Sequence, residues 1–560
     1  MTEVNQVASS TENTQQEQQP IEQVGGPNYG RYVLFVLIIV YIFNFVDRQI
    51  LSILAEEIKL DLGIGDAEIG FLYGTAFAIF YAVFGIPLGR LADVWNRKNL
   101  ISIGLSFWSA MTALSGFAQS FGHLAACRFG VGIGEASATP AAFSMISDYF
   151  SPKVRATVLA IYSSGIYLGS GIGLFLGGAI VQTWHLWYPD PSLAPLGIKA
   201  WQAAFLAVGI PGILMAIWVW TLKEPIRGAS EGLVTKKHPH PFRATTNSFM
   251  SVLPGFSLFA LYAAGGMRAV ATNLIAGGGV VALFYGLYVL MPTLLQWIAL
   301  GIGVYITVTW IHYQKLTDPA CYGMMFKSKA FFYATIGFPA ISFVTYGFGF
   351  WSPPFMQRFH GESIADAGLY LGLGSAVGGF IGIVLGGIIA DYFRAKTVNA
   401  RLYVGLVIPL FAVPFALGFL YTDNIAMAYI YSFLFSIISP AWIGCAASTV
   451  NDLVMPRMRA TASAYYLLMN TFVGLALGPF LIGQFSDLYF RDGMDSALAL
   501  QSAMSWGLGA FALSTVALLL ACRYLAADET NRLQRAAALG EPVQLGPLDP
   551  AVVGGHSTNR

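Results

Sequence analysis

Charged residues lie inside segments of this sequence that are otherwise apolar enough to cross a bilayer. Arg128 and Glu135 are seven positions apart in the run RFGVGIGEASATP. Two helical turns therefore separate them, and both lie on one helix face, about 10 Å apart along the axis. Asp47 and Arg48 interrupt an earlier apolar segment. Each charge costs about 2.5–3.5 kcal/mol to insert at the bilayer centre, which makes an accidental cluster of four improbable.

These two positive and two negative charges predict a site that handles protons and anions. Burial among apolar side chains favours the protonated form of a carboxylate, whereas a nearby guanidinium favours the ionised form. We therefore expect one carboxylate to carry a proton, and its proton affinity to change when Arg128 moves or is captured by a substrate. Guanidinium groups suit phosphate or carboxylate ligands, because their planar fork donates two hydrogen bonds at once. A salt-bridged knot that only locks the first and fourth helices together is the open alternative.

The composition places most of the chain in lipid. Of its 560 residues, 56% are hydrophobic and only 11% are charged, against about 25% charged in soluble proteins, and the mean hydropathy is +0.63. A net charge of +1 without a basic tail excludes nucleic acid as an expected partner. The four cysteines have no metal-ligand or disulfide spacing, so we expect no metal and no cofactor. The expected fold class is an all-α polytopic membrane protein.

Two sets of six apolar segments have the length of about 20 residues or more that a membrane-spanning helix needs. The first set covers residues 31–58, 67–92, 99–120, 122–149, 154–184 and 200–222, and the second covers 328–357, 364–391, 399–421, 424–451, 457–488 and 496–525. Lysine and arginine accumulate in the loops of one face and are sparse on the other. This asymmetry predicts that both termini are cytoplasmic.

An unusual apolar insert lies between these two sets. After a polar loop, the stretch 248–264 is expected to lie in the membrane interface. Residues 270–291 and 294–313 are expected to form a hairpin that turns at Met291-Pro292. The flanking loops lie on the same predicted face, so an even number of spans must connect them. The expected total is fourteen spans.

The two halves repeat each other. The motif PKVRAT at 152–157 recurs as PRMRAT at 456–461, and GRLAD at 89–93 recurs as GIIAD at 387–391. The motifs sit at matching helix ends, which predicts two six-helix bundles that hold a substrate near the membrane midplane and rock about it. The expected domains are a disordered tail (1–30), the first bundle (31–222), the insert with its loop (223–327), the second bundle (328–526) and a solvated C-terminal tail (527–560).

The repeated loop motifs also predict a cytoplasmic gate. An aspartate at the end of the second helix can attract the N-terminus of a neighbouring helix, and the basic residues that follow can bond carbonyls or carboxylates. The residues expected to act there are Gly89, Asp93, Arg97, Lys98 and Arg155 in the first half and Asp391 and Arg459 in the second. Small residues four positions apart predict close helix packing at Gly85/Gly89, Gly165/Gly169, Gly382/Gly386 and Gly474/Gly478.

The second half has no charge at mid-depth. Its first helix carries the aromatic run YGFGFW at 346–351, which fills the core, faces lipid or lines the cavity. If the run lines the cavity, one cavity wall is charged and the other is apolar. Such a cavity suits an amphipathic solute with an ionised head better than it suits a sugar. Tyr346 and Asn470 are the substrate contacts expected from this half.

Several motifs resemble those of the major facilitator superfamily and, within it, of the spinster family of lipid transporters. They are NFVDRQ (44–49), GIGDAEIG (63–70), WNRK (95–98), RFGVGIGEAS (128–137), KEPIRGA (223–229) and FWSPPFMQR (350–358), and the likeness covers residues 31–230 and 328–525. The resemblance implies a secondary transporter of sphingosine 1-phosphate-like or lysophospholipid-like molecules that is coupled to protons. It implies proton coupling by Asp47 and Glu135, and head-group binding by Arg48 and Arg128.

Two features depart from that resemblance, and other functions stay open. Val94 stands where a basic residue is usual, and the insert is not a usual family feature. A proton-coupled drug or organic-anion carrier is the alternative among transporters, and a channel or sensor is a further one. We expect no enzyme, because no histidine has a nucleophile motif such as Gly-x-Ser-x-Gly beside it. We expect a monomer in a bacterial inner membrane whose partners are an amphipathic small molecule, protons and membrane lipids.

Overall fold

The computed structural model describes residues 28–227, 230 and 239–541, and in these ranges the chain is helical with short connecting loops. Within the described ranges, twelve helices are long and apolar enough to cross a membrane, ten of them in the two halves and two in the insert. The all-α polytopic fold expected from the sequence is confirmed. Most of the two predicted tails lies outside the described residues.

Residues 29–220 form the helices of the first half. These are α1 (Tyr29–Ile53), α2 (Ala55–Leu62), α3 (Asp66–Tyr73), α4 (Thr75–Val94), α5 (Arg97–Ser115), α6 (Phe121–Glu135), α7 (Ala138–Tyr149), α8 (Pro152–Ser163), α9 (Gly165–Trp187) and α10 (Ala200–Trp220). The predicted third and fourth spans correspond to α5 and to the α6–α7 pair. They are not among the twelve long apolar helices, since α5 has a polar first turn and the helix breaks after Glu135. Both pack inside the bundle, α5 against α10 and α6 against α4.

The insert and the second half are also helical. The insert contains α11 (Pro241–Val252), α12 (Phe256–Leu290), α13 (Leu294–Thr317) and α14 (Pro319–Phe326). The second half contains α15 (Lys329–His360), α16 (Ile364–Arg394), α17 (Ala400–Tyr421), α18 (Ile425–Ile438), α19 (Ile443–Asp452), α20 (Arg459–Asn470), a π-helical turn (Thr471–Ala476), α21 (Leu477–Arg491), α22 (Ser496–Gly507) and α23 (Ala510–Thr530). We call the face where α1 begins and α23 ends the terminal face, and the other the opposite face.

Small residues let the helices approach closely, as the sequence predicts for three of its four pairs. Added side-chain atoms at the glycines of these three pairs would press on neighbouring helices, at Gly165, Gly169, Gly382, Gly386, Gly474 and Gly478. The prediction for Gly85 and Gly89 is wrong in this conformation, because no atom lies within 4 Å of a Cβ at Gly85 and only Pro140, at 3.9 Å, approaches one at Gly89. The halves themselves meet where α9 crosses α16, with Gly171 packed on the Gly372 carbonyl.

The insert packs against both halves. Phe249 of α11 contacts Phe84 of α4 with ring centroids 5.4 Å apart, and Trp310 of α13 stacks on Tyr465 of α20 at 6.4 Å. A buried polar knot joins α12 to α13, in which Asn273 donates to the Thr309 hydroxyl over 3.1 Å. The predicted interfacial stretch 248–264 is divided between α11 and the first turns of α12, and α12 is broken again at Gly266, where φ is +65°. The helices α12 and α13 form a hairpin with its turn after Leu290.

The tail expected to be solvated from residue 527 is ordered as far as Glu541, so that expectation is wrong for its first part. Helix α23 continues to Thr530, and a further helix, α24 (Arg532–Ala538), packs near α14. Arg457 explains this order, because its guanidinium pairs with Glu541 and donates to Asp318 over 2.6 Å. Composition alone missed this pairing, which joins residues that are distant in sequence.

The Arg457 cluster should make stability depend on pH. Hydrogen bonds from Arg457 hold the pKa of both Asp318 and Glu541 below their usual range. Folded pKa values below the unfolded ones stabilise the protein above about pH 4, and this contribution disappears as the pH falls through the lowered values. Arg457 is about half exposed, so we expect about 1 kcal/mol or less from it.

Arg457→Gln should therefore lower the melting temperature slightly at about pH 7, and the difference from the wild-type protein should be smaller at about pH 3, below the unfolded pKa values of the two acids. Thermal unfolding followed by tryptophan fluorescence checks this. Arg459→Gln is the matched control, because Arg459 is exposed and donates no hydrogen bond among the described residues. A deficit that stays the same at both pH values would contradict the assignment.

Candidate functional site

The four membrane-embedded charges meet at the contact between α1 and α6, but not in the pairs that their order along the chain suggests. Arg48 donates from Nε to Oε2 of Glu135 over 2.7 Å. The Glu135 side chain is fully buried, whereas that of Arg48 is 12% exposed. The Arg48 guanidinium also lies over the Phe77 ring, at 4.2 Å from its centroid, and over the Tyr81 ring at 5.0 Å. Arg48 is therefore the cation that reaches accessible space.

Arg128 is buried beneath this ion pair. Its Nη1 donates to the backbone carbonyl oxygen of Asp47 over 3.2 Å, and Nε donates to that of Leu72 over 3.4 Å. Only 1% of Arg128 is exposed. The sequence predicts direct substrate contact for Arg128, and this stays a prediction. In this conformation α1 and α3 cover its guanidinium. Arg128 holds the backbone that carries Asp47 and Arg48.

Asp47 and Glu135 both keep unused hydrogen-bonding capacity. Within the described ranges, neither carboxylate oxygen of Asp47 has a hydrogen-bond partner, although Thr112 and Trp108 of α5 face it. Oε1 of Glu135 likewise has none, and Asn44 faces it. A buried carboxylate without partners for its oxygens binds a proton at low cost, since protonation removes the charge that burial penalises. Asp47 therefore suits the predicted proton-coupling role as it stands, and Glu135 suits it once Arg48 releases Oε2.

The two residues predicted from the second half have different surroundings. Tyr346 of α15 is part-buried and faces Arg48 and Tyr81 across the contact between the halves. Asn470 ends α20 just before the π-helical turn, and among the described residues it makes no hydrogen bond with the charged cluster. Irregular turns of this kind often mark functional positions in helices. Tyr346 thus lies close enough to Arg48 to interact with its charge, whereas Asn470 makes no hydrogen bond with the charged cluster among the described residues.

The predicted gating residues lie at the terminal face, and Arg97, Lys98 and Arg155 form hydrogen bonds within their own half. Arg97 is fully buried, pairs with Asp148 and donates to Glu224 over 2.8 Å. Lys98 donates to the Trp220 carbonyl oxygen over 2.9 Å. Arg155 donates to the Ser147 carbonyl oxygen over 3.1 Å. In contrast, Asp93, Asp391 and Arg459 are exposed, and Gly89 is part-exposed.

A repeated ionic cluster at this face was missed in the sequence. Asp148 and Glu224 meet Arg97 in the first half, and Asp452 and Glu529 meet Arg394 in the second. Asp148 and Asp452 are 304 positions apart, the same offset as the PKVRAT and PRMRAT motifs. Extending the repeat alignment by four residues would have found this pair. Each cluster ties the terminal ends of its half together.

At the opposite face, ionic contacts join the two halves. Arg358 at the end of α15 donates to Glu56 over 2.6 Å and to Asp66 over 2.7 Å and 2.6 Å. Asp487 of α21 accepts from the backbone N–H groups of Asp66 and Ala67 over 2.9 Å and 2.8 Å. Among the described residues, no hydrogen bond or ion pair joins the halves at the terminal face. The structure is therefore closed at the opposite face.

Comparison with known proteins decides the family. A family model described as the Major Facilitator Superfamily matches residues 37–479. The chain belongs to the major facilitator superfamily. An MFS-type efflux pump from Mycolicibacterium smegmatis is 26% identical over 462 residues, which cover 82% of this chain and 86% of the pump. Protein spinster homolog 1 from Homo sapiens is 26% identical over 512 residues, covering 88% of this chain and 80% of that protein.

A solved structure shares both the fold and the spinster relationship. It is a crystal structure of a bacterial homologue of the human lysosomal transporter Spinster, in an inward-facing and unoccupied conformation. Its sequence is 26% identical, the TM-score is 0.62, and the match covers 91% of this chain and 99% of that one. The resemblance found in the sequence is confirmed. This chain is an integral multi-pass membrane protein and a facilitator-superfamily transporter related to spinster, and its relatives are transporters rather than enzymes.

Proposed function

We propose that the protein moves an amphipathic, anionic, lipid-like solute across a bacterial inner membrane by alternating access, with proton coupling at Glu135. The observation that carries the proposal is the Arg48–Glu135 pair, in which the acid is fully buried and only the cation is accessible. The arginine and lysine bias supports a cytoplasmic position for the terminal face. On that orientation the closed opposite face makes this an inward-facing state.

Substrate and proton binding would be coupled through competition for Arg48. An anionic head group that reaches Arg48 accepts the hydrogen bond that Glu135 now receives from it. Glu135 then loses its partner in apolar surroundings and takes up a proton, which removes an unpaired buried charge. Release of the head group restores the ion pair and expels the proton. Asp47, which faces α5, would provide the neighbouring proton-binding group.

The aromatic surroundings of Arg48 support an amphipathic substrate. Phe45, Phe77 and Tyr81 surround its guanidinium, with ring centroids 4.2 to 5.0 Å away, and Tyr346 faces it from the other half. Rings pack against alkyl chains and still leave the cation free to bond an anion. A proton-coupled drug or organic-anion carrier is the second candidate, favoured by the similarity to the mycobacterial efflux pump.

Transport in proteoliposomes tests the proposal. We expect labelled lysophospholipids with an anionic head group to cross faster when a proton gradient is imposed, and neutral monoacylglycerols to cross far more slowly. Arg48→Met should reduce transport of the anionic lipid about tenfold, because one charge-assisted contact is lost, and should change the neutral lipid little. Passage of organic-anion dyes without passage of any lysolipid would support the second candidate. Equal losses for charged and neutral lipids would show that Arg48 only holds helices together.

A further inference from the structure

A cavity of about 670 Å³ opens at the opposite face, where both halves meet the turn of the insert. Its walls come mainly from residues 59–71 of the first half, 480–496 of the second half and 292–296 of the insert. Arg48 and Glu135 do not line it, so it is separate from the proposed transport site. The insert gives this chain a cavity wall that the two repeated bundles alone do not provide.

Two glutamine side chains are buried against this cavity with unused hydrogen-bonding atoms. Gln296 of α13 and Gln484 of α21 are each 2% exposed. Among the described residues, both amide atoms of Gln296 and Oε1 of Gln484 have no hydrogen-bond partner. Buried amides are almost always paired in folded proteins, so these atoms indicate a ligand that completes them. Such a ligand must donate at least two hydrogen bonds and accept at least one.

The charges around the cavity leave one acidic residue in excess. The acidic residues of its lining are Asp66, Glu68 and Asp487, and the basic ones are Lys59 and Arg491. Arg358 pairs with Asp66 and also with Glu56 outside the lining, so it does not change this difference. An anion fits this lining worse than a ligand with an ammonium group does, because the anion would find no free counter-charge. A zwitterion with an ammonium group meets both this condition and the need for donors and an acceptor.

The walls between the polar groups are apolar. Phe71, Phe121 and Phe480 contribute rings to the lining, and Leu294 and Phe490 are more than half exposed. The position at the end of the spanning helices places the cavity at the level of lipid head groups. The ligand should therefore carry alkyl chains beside its zwitterionic head.

We propose that this cavity binds the head group of a zwitterionic phospholipid with a primary ammonium, the ethanolamine class, from the leaflet at the opposite face. The ammonium donates to Oε1 of Gln296 and Oε1 of Gln484, and a phosphate oxygen accepts from Nε2 of Gln296. Choline lipids lack the N–H donors and glycerol lipids carry net negative charge. The three walls meet in this state, which is closed at the opposite face, and a lipid that binds all three walls favours that state.

Thermal unfolding and native mass spectrometry of the full-length protein test this in three membranes. These are vesicles of phosphatidylcholine alone, phosphatidylcholine with phosphatidylethanolamine, and phosphatidylcholine with phosphatidylglycerol. We expect the ethanolamine lipid to raise the melting temperature and to be retained by the protein about tenfold better than the choline lipid, because two N–H donors are gained. Equal melting temperatures in all three membranes, or a larger increase with the glycerol lipid than with the ethanolamine lipid, would overturn the proposal.

Variants place the effect in the cavity. Gln296→Leu and Gln484→Leu should each remove most of the ethanolamine-dependent shift, and should fold as well as the wild-type protein in pure phosphatidylcholine because they remove unpaired buried amides. Gln357→Leu is the matched control, because Gln357 lies near the C-terminal end of α15 at the same face but does not line the cavity. Retention of the full ethanolamine shift by both leucine variants would overturn the proposal. The wild-type lipid comparison decides the matter even where one variant folds poorly.

Discussion

Glu135→Gln should remove the dependence of transport on the proton gradient while leaving the protein folded and able to bind substrate. Glutamine keeps an oxygen that accepts from Nε of Arg48, 2.7 Å away in the wild-type protein, but it cannot exchange a proton. Transport driven by an imposed proton gradient should fall about a hundredfold or more, because the acid that links proton to substrate is gone. Exchange of substrate at equal concentrations on both sides should persist.

Measuring the affinity for substrate tests Glu135→Gln independently of transport. An uncharged amide competes for Arg48 less strongly than a carboxylate, so the anionic lipid should bind Glu135→Gln as well as or better than the wild-type protein, without the pH dependence of the latter. Glu57→Gln is the matched control, because Glu57 pairs with the exposed His185 far from the site. Unchanged pH dependence of transport in Glu135→Gln would reject Glu135 as the proton carrier and leave Asp47 to be tested by Asp47→Asn.

The presence of a charged site could be predicted from the sequence, but its pairing could not. Burying four charges in apolar helices is costly, so their neutralisation by one another follows from composition and position alone. The partner of Glu135 depends on which helix lies opposite it. Arg128 shares its helix face, but it is about 10 Å away along the axis and cannot bond to it. Arg48 of α1 therefore makes the contact, and Arg128 supports the backbone of α1 instead.

The insert shows a similar limit. Its apolar length and the need for an even number of spans predict the hairpin that α12 and α13 form. Where the hairpin packs could not be predicted, because an apolar helix face looks the same in sequence whether lipid or protein covers it. Stacking of Trp310 on Tyr465 and the contact of Phe249 with Phe84 decide its position.

The sequence also did not predict the ion pairs that close the opposite face, although Arg358 and Asp66 stand in motifs that resemble those of the spinster family. Arg358 and Asp66 are 292 positions apart, and no local pattern links them. The only signal in the sequence is that basic residues are scarce on that face, where Arg358 is one of very few predicted. A lone cation among few charges has few possible partners, and the structure shows that its partners belong to the other half.

Arg358→Gln should shift the protein towards a state that is open at the opposite face. The Arg358 side chain is only 7% exposed and donates to both Glu56 and Asp66, and Asp66 itself is 3% exposed. Removing one partner of a buried ion pair costs about 3–5 kcal/mol, because the remaining carboxylates stay buried without full compensation. Opening the face exposes these carboxylates to water and relieves that cost. A difference of about 3 kcal/mol changes the ratio of the two states roughly a hundredfold.

Distances between spin labels measure this shift. Labels at Leu60 and Asp492, both exposed at the opposite face in different halves, should report a short distance in the wild-type protein and a longer, dominant one in Arg358→Gln. Lys199→Gln is the matched control, because Lys199 pairs with Asp61 inside the first half and its loss leaves the contact between the halves intact. A short distance that persists in folded Arg358→Gln would mean that the Arg358 ion pairs do not hold this face shut, and that the Asp487 hydrogen bonds and the glycine-lined packing of α9 on α16 hold it instead.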